Sequence, residues 1–258
     1  MSDELLYSVD NHVAYLTLNR PHKLNAIDAA LDEQLAERWE EIETDPGIWA
    51  VVLTGTGDRA FCAGGDISAG TEIAPARVGL GGGLTGIGGP LRQLSKPLVA
   101  LVHGYVLGGG FELAMCADII VAAEDTLFGL PEVRAGILGE AGVVHRAIRQ
   151  LPHRVAMTMI LTGERLPAER ALHFGLVNEV VPRERLVEAG GSWVERLTAA
   201  SPLAQQAAKQ AVLSRANHPL EVALSTKYEA IEAYAGSADV KEGRLAHAEK
   251  RHPQWTGR

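Results

Sequence analysis

Cysteine is almost absent. Cys62 and Cys116 are the only two in 258 residues, and no Cys-x-x-Cys spacing joins them. That count excludes a disulfide framework and a structural zinc site. Nine histidines are present without a His-x-x-x-His pair or a mixed Cys/His/Asp cluster, so no metal site is expected. Aromatic residues make up only 5% of the chain, too few for a base-stacking platform. The balance of 24 Lys+Arg against 32 Asp+Glu leaves a net charge of −8, which gives no general attraction to nucleic acid or anionic lipid. No long hydrophobic run exists either. The most apolar stretch, 105–123, contains Glu112, Asp118 and three consecutive glycines, poor material for a membrane span. The opening residues, Met1-Ser2-Asp3-Glu4, are acidic where a secretory signal is basic. The expectation is a soluble protein of the reducing cytoplasm, with neither nucleic acid nor membrane as partner. A Gly-x-Ser-x-Gly elbow is missing, and no Gly-Lys-Ser/Thr follows the glycines to make a P-loop.

What is present is enough apolar sequence for a sizeable core. Hydrophobic residues are 47% of the chain, and at this length roughly 70–75% of the unfolded surface can be buried. One large domain fits, or one domain with a helical appendage. Alternation at Leu5, Tyr7, Val9 and at Val13, Tyr15, Thr17 predicts two strands joined around Asp10-Asn11. Asp28 is a good N-cap for a helix with a stripe at Leu31, Leu35, Trp39 and Ile42, stopped by Pro46-Gly47. Residues 48–53 and 97–102 are continuous apolar runs, as in strands covered on both faces. Residues 111–115 have helical composition and 119–122 can form another strand. This is an α/β pattern with crossover connections. Beyond residue 140, prolines and caps at Pro152, Pro167, Pro182 and Ser201-Pro202 open successive helices, without a convincing succession of strands. The division expected is an α/β core over 1–195 and a helical region over 196–258.

Two glycine-rich turns stand out. Gly108-Gly109-Gly110 follows an apolar strand and enters a helix, while Phe61-Cys62-Ala63-Gly64-Gly65-Asp66-Ile67 follows another probable strand. In a parallel sheet both would lie at carboxyl ends of strands, where two backbone N–H groups could share one oxygen as an oxyanion hole. Glu112 sits early in the helix after the first turn and Glu132 lies in Phe128-Gly129-Leu130-Pro131-Glu132-Val133, both in apolar company. Two buried carboxylates on one cavity can divide acid and base work. Two glutamates making caps or salt bridges fit the spacing as well. Residues 79–89, seven of eleven glycine, read either as a surface loop or as a lid beside a site.

Taken in order, Asn19-Arg20-Pro21, Leu24-Asn25-Ala26, Ala60-Phe61-Cys62-Ala63-Gly64-Gly65-Asp66, 104–113, Cys116-Ala117-Asp118, Phe128-Gly129-Leu130-Pro131-Glu132, Leu161-Thr162-Gly163 and Gly175-Leu176-Val177 resemble the enoyl-CoA hydratase/isomerase, or crotonase, family over about residues 5–255. The resemblance implies an α/β, crotonase-like fold of repeated ββα units with a C-terminal helical extension that takes part in trimerisation and site closure. It implies a homotrimer or a dimer of trimers. It also implies an acyl-CoA substrate, with coenzyme A as part of the thioester and no further cofactor required. By motif, the oxyanion donors fall on Gly65 and Gly109, and the catalytic pair on Glu112 and Glu132. Contacts to CoA fall on Ala26, Ala63, Asp66 and Ile67, with Lys250 reaching CoA from the last helix. The retained pair favours reversible hydration of a trans-2-enoyl-CoA, and Pro131-Glu132-Val133 with 152–163 resembles carnitinyl-CoA dehydratase relatives. Isomerisation, thioester hydrolysis or lyase chemistry on an acyl-CoA, or a non-catalytic binding role, are the alternatives. Two departures stand against the family pattern. Glu140 falls where a glycine usually lies, and either faces outward or narrows the cavity beside Glu132. His103 replaces a frequent asparagine and is expected to satisfy backbone groups.

Overall fold

The computed structural model describes residues 4–66, 86–89, 92–139 and 142–258. Strands β1 (Leu5–Asp10) and β2 (Val13–Leu18) form an antiparallel hairpin whose turn residues, Asn11 and His12, both have positive φ (47° and 68°). Helix α1 (Ala29–Thr44) starts where Asp28 accepts a hydrogen bond from Leu31 N–H at 3.0 Å. Its stripe, Leu31, Leu35, Trp39 and Ile42, is fully buried. At its far end the buried Lys96 ammonium donates to the carbonyls of Ile42 and Asp45, satisfying groups that a helix C-terminus leaves open.

From β3 (Ala50–Gly55) onward the chain builds two sheets in alternation. After β4 (Ala60–Cys62) come β5 (Leu98–Val102), β6 (Tyr105–Leu107), α2 (Gly109–Met115), β7 (Ile119–Ala123) and β8 (Leu127–Gly129). Helices α3 (Val143–Gln150) and α4 (His153–Thr162) follow, then β9 (Leu166–Pro167), α5 (Ala168–His173) and β10 (Glu179–Val181). The larger sheet has the order β1-β2-β3-β5-β7-β10, parallel from β2 onward. The smaller has the order β4-β6-β8-β9, with β4, β6 and β8 parallel.

The apolar runs are explained by the larger sheet having two covered faces. Val51, Leu53, Leu98, Ala100, Ile120 and Ala122 point to the main core with α1 and α2. Their neighbours Val52, Val99, Leu101, Val121 and Ala123 point the other way, under Leu186 and Val194 of α6 (Leu186–Thr198). The chain then continues through α7 (Pro202–Arg215), α8 (Leu220–Ser225), α9 (Glu229–Gly236) and α10 (Ala238–Glu249). The structure therefore has the α/β crotonase-like architecture with a C-terminal helical extension. Among the described residues, no helix is long and apolar enough to cross a membrane.

The loop before α1 is tied to the sheets by Asn25, fully buried and held at φ 55°, a left-handed conformation asparagine tolerates well. Its Oδ1 accepts from Arg20 N–H, and its Nδ2 donates to the carbonyls of Thr56 and Ala60, each at 2.9 Å. Alanine would leave those groups unpaired and strain the backbone. Asn25→Ala is expected to lower stability by roughly 2–4 kcal/mol. Urea denaturation at fixed protein concentration measures it, and a change under about 0.5 kcal/mol would contradict the role given to this side chain.

Candidate active site

The three parallel strands of the smaller sheet end side by side, and each delivers one part of a site. After β4 comes Ala63-Gly64-Gly65-Asp66. After β6 comes Gly108 and then α2 with Glu112. After β8 comes Leu130, with Glu132 in the 3₁₀ turn Pro131–Ala135. Carboxyl ends of parallel strands are where an α/β sheet can present loops to a ligand.

The two glycine turns touch. Gly64 has φ 97°, and a Cβ there would stand 3.0 Å from Leu107 O and 3.2 Å from Gly109 N. Ile27 N–H donates to Gly64 O and Asp66 N–H to Ile27 O, each at 2.8 Å, so the N–H of Gly65 between them points off that ladder. Gly109 is the first residue of α2, where a helical N–H has no intrahelical acceptor. Gly110 lets α2 start this close to β4, since a Cβ there would lie 2.3 Å from Cys62 O.

The two glutamates flank these turns. Glu112 is fully buried. Burial pushes its pKa up to about 8, against the opposing charge and hydrogen bond of Arg146 and the nearby Val143 N–H, while the Glu132 charge adds to the rise. Glu132 packs against Gly108, which has φ 52° and where a Cβ would lie 2.7 Å from Glu132 Oε1. The same oxygen lies 3.3 Å from a Cβ built on Gly139. Burial raises the Glu132 pKa as well. Two carboxylates that each resist ionisation, near the touching glycine turns, are suited to holding and moving a proton.

Arg146, on α3, is the residue the sequence reading passed over. Its Nη1 donates to Glu112 Oε1 at 2.9 Å and its Nη2 to Gly88 O at 2.5 Å. The only signal in the sequence was an arginine one turn into the helix start Val143-Val144-His145, which is indistinguishable from a surface cation.

The remaining expectations divide. Ala26 is buried and Ala63 half-buried in the two segments that cross at Gly65. Asp66 is buried and paired with Arg20 at 3.4 Å and Lys23 at 3.8 Å. Arg20 also pairs with Asp28 and donates to Ala26 O, so this cluster locks the loop that carries Ala26 against the β4 turn. Lys250 is exposed at the end of α10, in the left-handed conformation that closes the helix, away from the cluster of turns in sequence and element. Ile67, Glu140 and residues 79–85 lie outside the described residues. His103 is buried, and burial together with Arg183 lowers its pKa, which keeps the ring neutral. Among the described residues, no group of three or more His, Cys, Asp or Glu could hold a metal ion.

A two-sheet fold whose smaller sheet ends in touching glycine turns and two glutamates with raised pKa is a scaffold on which a proton can be held and moved. Comparison with known proteins narrows it. The enoyl-CoA hydratase/isomerase family pattern matches residues 8–258, and the chain belongs to that family. It is 36% identical over 252 residues to the (E)-benzylidenesuccinyl-CoA hydratase of Thauera aromatica, covering 96% of this chain and 97% of the relative. It is 37% identical over 263 residues to the carnitinyl-CoA dehydratase of Escherichia coli K12, covering both chains completely. Among solved structures it matches a protein described as a short chain enoyl-CoA hydratase from Novosphingobium aromaticivorans, with TM-score 0.91 and 55% identity over 100% and 99% of the two chains. It also matches the enoyl-CoA hydratase of Mycobacterium tuberculosis, with TM-score 0.90 and 36% identity over 99% of each. The protein is an enzyme of the hydratase/dehydratase type acting on an acyl-CoA.

Proposed function

We propose that this enzyme reversibly hydrates a trans-2-enoyl-CoA thioester to a 3-hydroxyacyl-CoA. The observation that supports this most is the pair of glutamates at the ends of adjacent parallel strands, Glu112 buried and Glu132 half-buried, beside two glycine turns that touch at Gly64 and Gly109. In this reading the thioester oxygen lies between the N–H groups of Gly65 and Gly109. These donors stabilise the negative charge that grows on it as water adds at the β-carbon. Glu112 orients that water and takes its proton, while Glu132 delivers a proton to the α-carbon on the same face. The water oxygen thus bonds to one carbon, a proton to the next, and the double bond becomes single. Because the carboxylates are coupled, the proton belongs to the pair rather than to one residue in the resting enzyme.

In the same reading Ala26, Ala63, Asp66 and Ile67 contact the nucleotide and pantetheine end, Lys250 reaches CoA, and three copies form the working assembly. The Arg20–Asp66 pair supports a positioning part for Asp66, since its carboxylate is already engaged.

The test is mass spectrometry of reactions on enoyl-CoA esters with short, long, branched, aromatic and trimethylammonium-bearing acyl groups. A product heavier by one water, with no free CoA, is expected on at least one ester. Unchanged mass with a shifted double bond would indicate isomerisation, and free CoA would indicate hydrolysis. Either would replace this reading.

A further inference from the structure

Arg146 stands at a junction of three segments. From α3 its guanidinium reaches Glu112 on α2 with one nitrogen and the Gly88 carbonyl, in the segment leading to β5, with the other. The chain leaves room for it on both sides. A Cβ on Gly142 would lie 2.5 Å from Nη1, and one on Gly88 would lie 2.9 Å from Nη2. Gly142 has φ 104° and Gly88 has φ 84°, so both positions favour glycine on backbone grounds too. A surface arginine does not need two side-chain-free neighbours. This one occupies a slot that aims Nη1 at Oε1 of Glu112 and Nη2 at the Gly88 carbonyl.

We propose that Arg146 is a positioning residue of the hydration site, whose guanidinium anchors Oε1 of Glu112 and favours its ionised form, leaving Oε2 as the oxygen that meets the water. This rests on the hydratase reading above and deepens it. Glu112 Oε2 is buried and makes no hydrogen bond among the described residues, as the division of work between the two oxygens requires. Among the described residues, the groups facing this carboxylate are few. Arg146 approaches from α3 with the Val143 N–H, Glu132 from the 3₁₀ turn and Cys116 from α2 itself. The Cys116 thiol, pushed up to about 12 by burial, stays neutral. Among the described residues, the charge opposing the desolvation of Glu112 therefore comes from Arg146. Without it, the carboxylate would hold its proton to higher pH and would be free to turn.

Two variants and two readouts test this. Arg146→Met removes the charge but keeps much of the volume, while Arg146→Lys keeps the charge and loses the two-pronged contact. Infrared titration of protonated carboxyl groups, with Glu112→Gln identifying the band, reads the ionisation midpoint of Glu112 directly. The midpoint is expected to rise by about one pH unit or more in Arg146→Met and to return toward the wild-type value in Arg146→Lys. On the ester that the wild type hydrates, kcat is expected to fall about 10–100-fold in Arg146→Met with KM changed less than about threefold, and Arg146→Lys to recover part of it. A midpoint unmoved in Arg146→Met, or no band lost in Glu112→Gln, overturns the proposal. So does a kcat that falls equally in both variants in step with thermal stability. If the wild type hydrates no ester, the hydratase reading fails on its own, and the infrared titration still decides whether Arg146 governs Glu112.

Discussion

Glu132→Gln is expected to lower turnover by roughly 10²–10⁴-fold while leaving acyl-CoA binding within a few-fold of wild type. Glutamine has the shape of the protonated glutamate but cannot release or regain a proton. The site is built to keep that shape. Oε1 of Glu132 lies against Gly108 and Gly139, positions where even a methyl group would collide or crowd. An amide of the same volume therefore keeps the packing, and the N–H groups of Gly65 and Gly109, the donors proposed for the thioester oxygen, are left undisturbed. Binding and chemistry separate cleanly as a result, with Kd by calorimetry unchanged and kcat by mass spectrometry collapsed. Near-wild-type turnover in this variant would remove Glu132 from the proton transfer, whatever its surroundings. Loss of binding as well would mean that the side chain serves to shape the pocket.

Much of the larger sheet was legible because its elements are long enough to carry a period. The α1 stripe from Leu31 to Ile42 and the Asp28 cap occur where the spacing predicts, as does the β1–β2 hairpin. The smaller sheet was not. Strands β4, β6 and β8 are three residues each, too short to show alternation, and they hide inside what the sequence presents as glycine-rich turns. Only pairing across the chain makes them strands. Missing them also hides that Gly65, Glu112 and Glu132 each follow a different one of three neighbouring parallel strands. In the last third, β10 was passed over for the same reason, although Glu179–Val181 completes the edge of the larger sheet beside β7. Within the helical region expected over 196–258, the chain breaks at Thr226-Lys227-Tyr228 between α8 and α9. No proline or glycine announces that break. Motif resemblance named the glutamates and glycine turns that the structure clusters, whereas Arg146 carries no motif and is found only from the folded geometry.

Glu112→Gln is expected to change how stability depends on pH, and by a large amount. The wild-type carboxyl, fully buried, is pushed up to about 8, whereas in the unfolded chain it titrates near its ordinary value of 4.5. Between those values the native state holds a proton that the unfolded state has released. The unfolded state therefore binds fewer protons, and stability falls as pH rises, by roughly 1.4 kcal/mol for each unit while the difference is complete. The favourable contribution is fully present below about pH 4.5 and is lost as pH climbs through about 8. Glutamine has no proton to lose. At pH 5 the acid and the amide are both neutral and can both accept the Arg146 hydrogen bond, so the two proteins should be close in stability. By pH 7 the variant should be the more stable by roughly 2–3 kcal/mol. Urea denaturation of both proteins at fixed concentration, at intervals from pH 5 to 8, measures the difference, and titrations common to both cancel from it. A difference that stays flat across the range would mean that Glu112 ionises in the folded protein as it does in water. The predicted trend is the thermodynamic counterpart of the proposed role: a carboxyl group kept out of water costs the fold stability as pH rises toward about 8, and a group that titrates there can both take and give up a proton near neutral pH.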